Sequence, residues 1–216
     1  MEKKLPEIEC MLPDEIEKRS FAIIEEELKA RGIRLPKEQE MVTKRVIHTS
    51  ADFDYAATMT FSENAVEIAK ELIRQGADIV TDTQMVLSGI HKKSLARFGG
   101  QVHCFMAEET VAKIAKERGT TRAAVSMEQA AKLEKPLIFA VGNAPTALVR
   151  LYELMQESTW RPAFIIGVPV GFVNVEAAKE LILQTDVPHI VNRGRKGGSN
   201  VAAAICNAIL YELGRD

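Results

Sequence analysis

Several things are scarce in this 216-residue sequence, and each scarcity removes a class of protein. Cysteine occurs three times, as Cys10, Cys104 and Cys206, with no CxxC pair and no even framework. A disulfide-built extracellular scaffold is thereby excluded, and a reducing compartment is expected. Net charge is nearly absent, since 28 Lys and Arg offset 30 Asp and Glu to give −2. Nothing draws the whole chain towards nucleic acid or an anionic membrane, so any basic cluster acts locally. Aromatic residues make up 6%, and none lies in the most basic loop, which removes the stacking platform that single-stranded nucleic acid needs. No apolar run approaches the ~20 residues of a membrane span, and Met1-Glu2-Lys3-Lys4 leads into a charged helix without an apolar core. No G-x-G-x-x-G, no G-x-x-x-x-G-K-[ST], no nucleophile elbow and no metal-spaced histidines occur. The expectation is a cytoplasmic, soluble protein of one domain, 1–216, with no nucleic-acid or membrane partner.

What is present is periodicity. Leu12-Pro13-Asp14-Glu15 is a helix-start signal, followed by Ile16, Ile23, Ile24 and Leu28 at helical spacing up to Gly32. Ser20 lies four residues from both Ile16 and Ile24, on the apolar stripe; it reads either as a core serine or as a residue facing a ligand. A second helix, about Lys37 to Ile47, delivers His48. Thr49 to Phe61 reads as a loop with some extended structure, and Ser62 as the cap of a helix that Gly76 ends. Thereafter short apolar runs at 78–81, 102–105, 137–141, 163–167 and 189–191 alternate with helical segments. This alternation predicts an α/β fold, a doubly wound, mostly parallel sheet of about five strands flanked by helices, with N-terminal helices before it. Ligands of such sheets sit where loops leave the carboxyl ends of the strands, so the post-strand loops are where function is sought.

Four stretches carry candidate chemistry. Arg45-Val46-Ile47-His48-Thr49-Ser50-Ala51-Asp52-Phe53-Asp54 sets an imidazole three residues after a cation. Near neutral pH that imidazole can give or take a proton, although a histidine capping the preceding helix is the commoner reading of this local pattern. Thr81-Asp82-Thr83 offers Asp82 as a helix cap or as a ligand-facing acid. Gly142-Asn143-Ala144-Pro145-Thr146 opens a helix whose free N–H groups face its loop. Arg193-Gly194-Arg195-Lys196-Gly197-Gly198-Ser199 puts three cations over a glycine-rich helix start, where charge, N–H groups and dipole all favour an anion. Arg122, after Thr120-Thr121, is a further candidate at a helix start. His91, His103 and His189 read as structural residues.

In this order and spacing RVIHTSADFDYA, GNAPTAL, GVPVGFV and RGRKGGSNVAAAICNAIL resemble the precorrin-8X methylmutase family, which includes the cobalt-precorrin-8 enzymes. Lys18-Arg19-Ser20-Phe21-Ala22-Ile23-Ile24, Asp82 with Met85, and Gly119-Thr120-Thr121-Arg122 add support, and the likeness runs from about Ile16 to the last helix. The resemblance implies an isomerase that moves a methyl group from C-11 to C-12 of a corrinoid in cobalamin biosynthesis. It implies His48 as the proton donor and acceptor, with Ser20, Arg45, Arg122, Asn143, Thr146, Arg193, Arg195, Gly197, Gly198 and Ser199 holding the substrate. It also implies no cofactor, no protein-bound metal and a homodimer. The polycarboxylate rim of a corrinoid suits the cationic loops read from the residues. The alternative is a tetrapyrrole carrier that uses the same loops without chemistry.

Overall fold

The computed structural model describes residues 12–214, so Cys10 lies outside the described residues. By internal contacts the chain divides into two compact units, Met1–Arg34 and Leu35–Asp216. The first carries helix α1 (Pro13–Ala30). Its start is tied by the Glu15 carboxylate, which accepts from Leu12 N–H at 3.3 Å. Its end is a left-handed Gly32 (φ 70°), after which Ile33 N–H returns to Leu28 C=O at 2.9 Å. Ile24 and Leu28 of the predicted stripe are buried, whereas Ile16 and Ile23 are exposed.

The second unit runs α2 (Glu40–Ser50), α3 (Tyr55–Thr58), β1 (Met59–Phe61), α4 (Ala65–Arg74), β2 (Asp78–Thr81), α5 (Gln84–Gly89), α6 (Lys92–Ala96) and β3 (Val102–His103). It continues through α7 (Glu109–Arg118), α8 (Arg122–Ala130), β4 (Leu137–Val141), α9 (Pro145–Glu157), β5 (Phe164–Gly167), α10 (Val175–Leu183), β6 (His189–Asn192) and α11 (Ser199–Glu212). The strands form one sheet in the order β1-β6-β5-β4-β2-β3. Five strands are parallel, as the alternation of strand and helix requires, and β1 joins β6 antiparallel.

Strands β2, β4, β5 and β6 are buried along their whole length, which is why they read as unbroken apolar runs rather than alternating ones. One face of the sheet presents Val80, Phe139, Val141, Ile165 and Val191 to Met127, Leu148, Leu151, Ala178 and Ile182 of α8, α9 and α10. Helix α11 packs on β4 and β5 and against α2, α4 and α5. Its small buried residues, Ala202, Ala203, Ala204 and Ala208, permit that close approach.

Three local readings change. The stretch after His48 holds a short helix, α3, that the reading did not include, and its extended part is the strand β1, in which Met59, Thr60 and Phe61 pair with Asn192, Val191 and Ile190 far along the chain. Ser62 extends that pairing instead of capping α4: its N–H donates to His189 C=O, and its hydroxyl accepts from His189 N–H at 2.9 Å. Asn64, with φ 53°, precedes the helix. Finally, α2 starts three residues late and runs through His48 to Ser50, so the imidazole sits in the last helical turn.

Candidate active site

The strand order turns back on itself between β2 and β4: the chain goes from β2 to β3 on one side, then returns to β4 on the other. In open parallel sheets such a reversal leaves a crevice at the carboxyl ends. Here that crevice is closed from within. Asp82, fully buried, accepts N–H bonds from Gly142 (2.9 Å), Asn143 (2.8 Å) and Ala144 (2.6 Å). Burial pushes the Asp82 carboxyl up, against the downward pull of the three donors. Asp82 therefore neither caps α5 nor faces a ligand. Thr83 is the cap, its hydroxyl accepting from Val86 N–H, and the donors before α9 that looked open to a ligand are filled by the protein's own carboxylate.

Around this joint the other post-strand loops converge. Thr83 Oγ1 lies 3.0 Å from Ser199 Oγ at the start of α11. Gly142 has no side chain because a Cβ there would stand 2.8 Å from Ser199 Cα. A Cβ on Gly197 would fall 2.1 Å from Val168 C=O, and Gly198 N–H donates to that same oxygen at 2.9 Å. Gly171 N–H reaches Arg195 C=O. The loops after β2, β4, β5 and β6 thus meet at one end of the sheet, with Gly142, Asn143, Gly197, Gly198 and Ser199 among them.

The cations of the last loop are spread along its rim, each against an acid. Arg193 meets Glu180 (3.2 Å), Arg195 meets Glu176 (3.3 Å) and lies over the Phe172 ring, and Lys196 bridges Asp52 and Asp54 at 2.6 Å each. These pairs are solvent-exposed, of the kind worth about 0–1 kcal/mol, so an incoming carboxylate can replace the acids at small cost. The Lys196 bridge also holds down the Asp52 pKa and raises that of Lys196. It ties the basic loop to the turn immediately after His48. That turn begins at a left-handed Ala51 (φ 54°) and is braced by Ser50, whose hydroxyl donates to Val46 C=O.

His48 itself is half-buried. The other three histidines are held in structural contacts: His91 with Ser94 Oγ, His103 with Asp78, and His189 with Val187 C=O. Arg45, one turn before His48, lies over the Tyr211 ring of α11 at 5.3 Å, so that cation is braced by the fold. Thr146 accepts a hydrogen bond from Thr121, the cap of α8, which joins the starts of α8 and α9. Arg122 is exposed at the first position of α8, and its guanidinium makes no ion pair or hydrogen bond within the described residues. Ser20 lies half-buried on α1, in the first unit. Among the described residues no group of three His, Cys, Asp or Glu is arranged to hold a metal, and no helix is long and apolar enough to cross a membrane.

Two residues central to this end of the sheet escaped the sequence reading. One is Asp82 as the buried acceptor that joins the loops after β2 and β4. The other is Lys179 on α10, fully buried, whose Nζ donates to Gly194 C=O (2.7 Å) and Lys196 C=O (2.8 Å). A signal for Lys179 did exist: it shares the i, i+3, i+4, i+7 stripe with Val175, Ala178 and Ile182, all buried.

Residues 15–212 match the family model described as precorrin-8X methylmutase. The chain is 42% identical over 197 residues to a cobalt-precorrin-8 methylmutase of Priestia megaterium, covering 91% of this chain and 87% of that one. To the protein of the same name from Salmonella typhimurium it is 42% identical over 205 residues, 93% of this chain and 96% of the other. A crystal structure of precorrin-8X methylmutase from Thermus thermophilus superposes with a TM-score of 0.80 at 37% identity, over 90% of this chain and 95% of that one.

Proposed function

This chain belongs to the precorrin-8X methylmutase family and is an isomerase; from that premise we propose that it moves the C-11 methyl group of precorrin-8X or cobalt-precorrin-8 to C-12, yielding hydrogenobyrinate or cobyrinate. One C–CH3 bond breaks as another forms within the same molecule, so no reductant, oxidant or second substrate is needed. His48 supplies the proton that makes the conjugated framework electron-poor enough to favour the shift, and recovers it afterwards. Arg193, Arg195 and the Gly197-Gly198-Ser199 helix start receive peripheral carboxylates, exchanging their surface acids for substrate. Arg45, Arg122, Asn143 and Thr146 complete the grip, Arg45 through a position set by Tyr211; for Ser20, on the first unit, a substrate contact is what the family resemblance implies.

The observation that carries this reading is the tie between the turn after His48 and the basic loop through Lys196, Asp52 and Asp54. It couples the proton carrier to the carboxylate clamp, as a reaction on a large polyanion requires. We further propose one functional domain over 1–216, supported by a family match that runs across the boundary at Arg34. A cytoplasmic homodimer is part of the same proposal, with Arg45 or Arg122 serving the partner's site. Light scattering of the purified protein tests the dimer. Incubation with metal-free and with cobalt-containing substrate, followed by absorption spectroscopy, tests the reaction and decides between the two macrocycles. Tight binding of both without a spectral change to product would favour the carrier.

A further inference from the structure

Lys179 is a buried cation that the methyl shift does not use. Its side chain has no exposure, and its Nζ meets two carbonyl oxygens, those of Gly194 and Lys196, which flank Arg195. Asn192, also fully buried, donates to Arg193 C=O (3.1 Å) and to Lys196 C=O (2.8 Å), while its own side-chain oxygen accepts from Thr58. The carbonyls of Arg193, Gly194 and Lys196 are therefore all turned inward. A trans peptide points its N–H opposite to its C=O, so the N–H groups of Arg195 and Gly197 are turned away from the ammonium and that of Gly194 away from the Asn192 amide. These three make no hydrogen bond with the described residues. The N–H groups of Gly194 and Arg195 are successive, and successive outward N–H groups are the elements of an anion-binding concavity; the Lys179 ammonium stands on the carbonyl side of the Gly194–Arg195 peptide.

We propose that Lys179 is a positioning residue for substrate carboxylates: by holding two loop carbonyls inward it presents the N–H groups around Arg195 to the corrinoid rim, and its buried charge strengthens that site. The inference rests on the reading of Arg193–Ser199 as the carboxylate clamp. An ammonium is not required for packing alone, because the stripe of α10 is otherwise apolar, and burying a charge is costly unless something uses it. Burial also pushes the Lys179 pKa down to about 8, so the fold tolerates this charge under strain that an apolar residue would not carry.

The test compares Lys179→Met, Lys179→Gln and Arg195→Ala with the unmodified protein, measuring KM, kcat, affinity for the corrinoid polycarboxylate product by absorption titration, and thermal unfolding. Loss of binding common to ground and transition states raises KM and leaves kcat alone. Lys179→Met should raise KM and the product dissociation constant about tenfold or more, with kcat nearly unchanged. Lys179→Gln, which keeps two donors without charge, should fall between. If folded Lys179→Met binds product normally, or if neither Lys179 variant folds, the residue is a structural prop and the proposal is overturned. If Lys179→Met weakens binding while Arg195→Ala does not, the proposal stands on the N–H groups and the assignment of Arg195 falls. The product titration decides even for a protein that does not turn over.

Discussion

The loop after β4 and the loop after β6 begin alike, as glycine-containing segments that open onto a helix start at the carboxyl end of the same sheet. They end as opposites. The donors before α9 are occupied by the Asp82 carboxyl of the chain itself. The loop before α11 is backed by Lys179, a cation, and turns N–H groups outward. Two helix starts of similar sequence are thus backed by groups of opposite chemistry: a carboxyl fills the donors of one, and an ammonium holds the carbonyls of the other inward. A helix start is a site only when the protein has not already filled it.

The largest effect is expected from removing the chemistry while leaving both loops intact. His48→Ala should retain the fold and most product affinity, while single-turnover absorption kinetics slow by roughly 10²–10⁴-fold, the usual worth of a positioned acid. A full-speed variant would hand the proton to another group. Next in size is the joint. Asp82→Ala leaves the N–H groups of Gly142, Asn143 and Ala144 without their acceptor, the first of them buried, and should cost roughly 1–3 kcal/mol of stability in urea unfolding. If instead it weakened product binding without loss of stability, the two loops would not be opposites at all.

Arg193→Ala and Arg195→Ala should reverse that pattern. Each should weaken product binding by roughly 1.5–3 kcal/mol where the charge-assisted bond is shielded, and by less in high salt where it stays at the rim, with stability nearly unchanged. The smallest effect concerns Lys179 and pH. With its folded pKa near 8 against ~10.4 unfolded, the folded chain sheds this proton first. Between those values the unfolded chain binds more protons, so stability contributed by this group rises with pH. Relative to Lys179→Met, the unmodified protein should gain stability from pH 8 to 10, as read in paired unfolding curves. Parallel curves would mean that the lysine titrates as it does in water.

Where structure followed from local pattern, the sequence was legible. Strands β2, β4, β5 and β6 announced themselves as apolar runs because both faces of the sheet are covered, and the convergence of the loops after Val141 and Val191 followed from parallel pairing. Strand β1 was legible only as some extended structure, since Met59-Thr60-Phe61 becomes a strand by pairing with residues about 130 positions away. Asp82 was misread for the same reason: its partners at Gly142 to Ala144 lie sixty residues on, while Thr83 beside it supplied the cap. The basic loop was recognised by composition, but composition shows neither the acids of α10 facing Arg193 and Arg195 nor the lysine beneath.

The sheet's two borders carry a consequence for how copies of this protein meet. Strand β1 has three residues and β3 two, so each border offers only a few unpaired backbone groups. Edges this short give a neighbouring chain little to pair with, and the highly apolar inner strands are kept from acting as templates for aggregation. Among the described residues, helices and loops then offer the larger surfaces for a contact between two copies. The exposed Phe172 and Val173, in the loop after β5, are the apolar surface nearest the basic rim that such a contact could use.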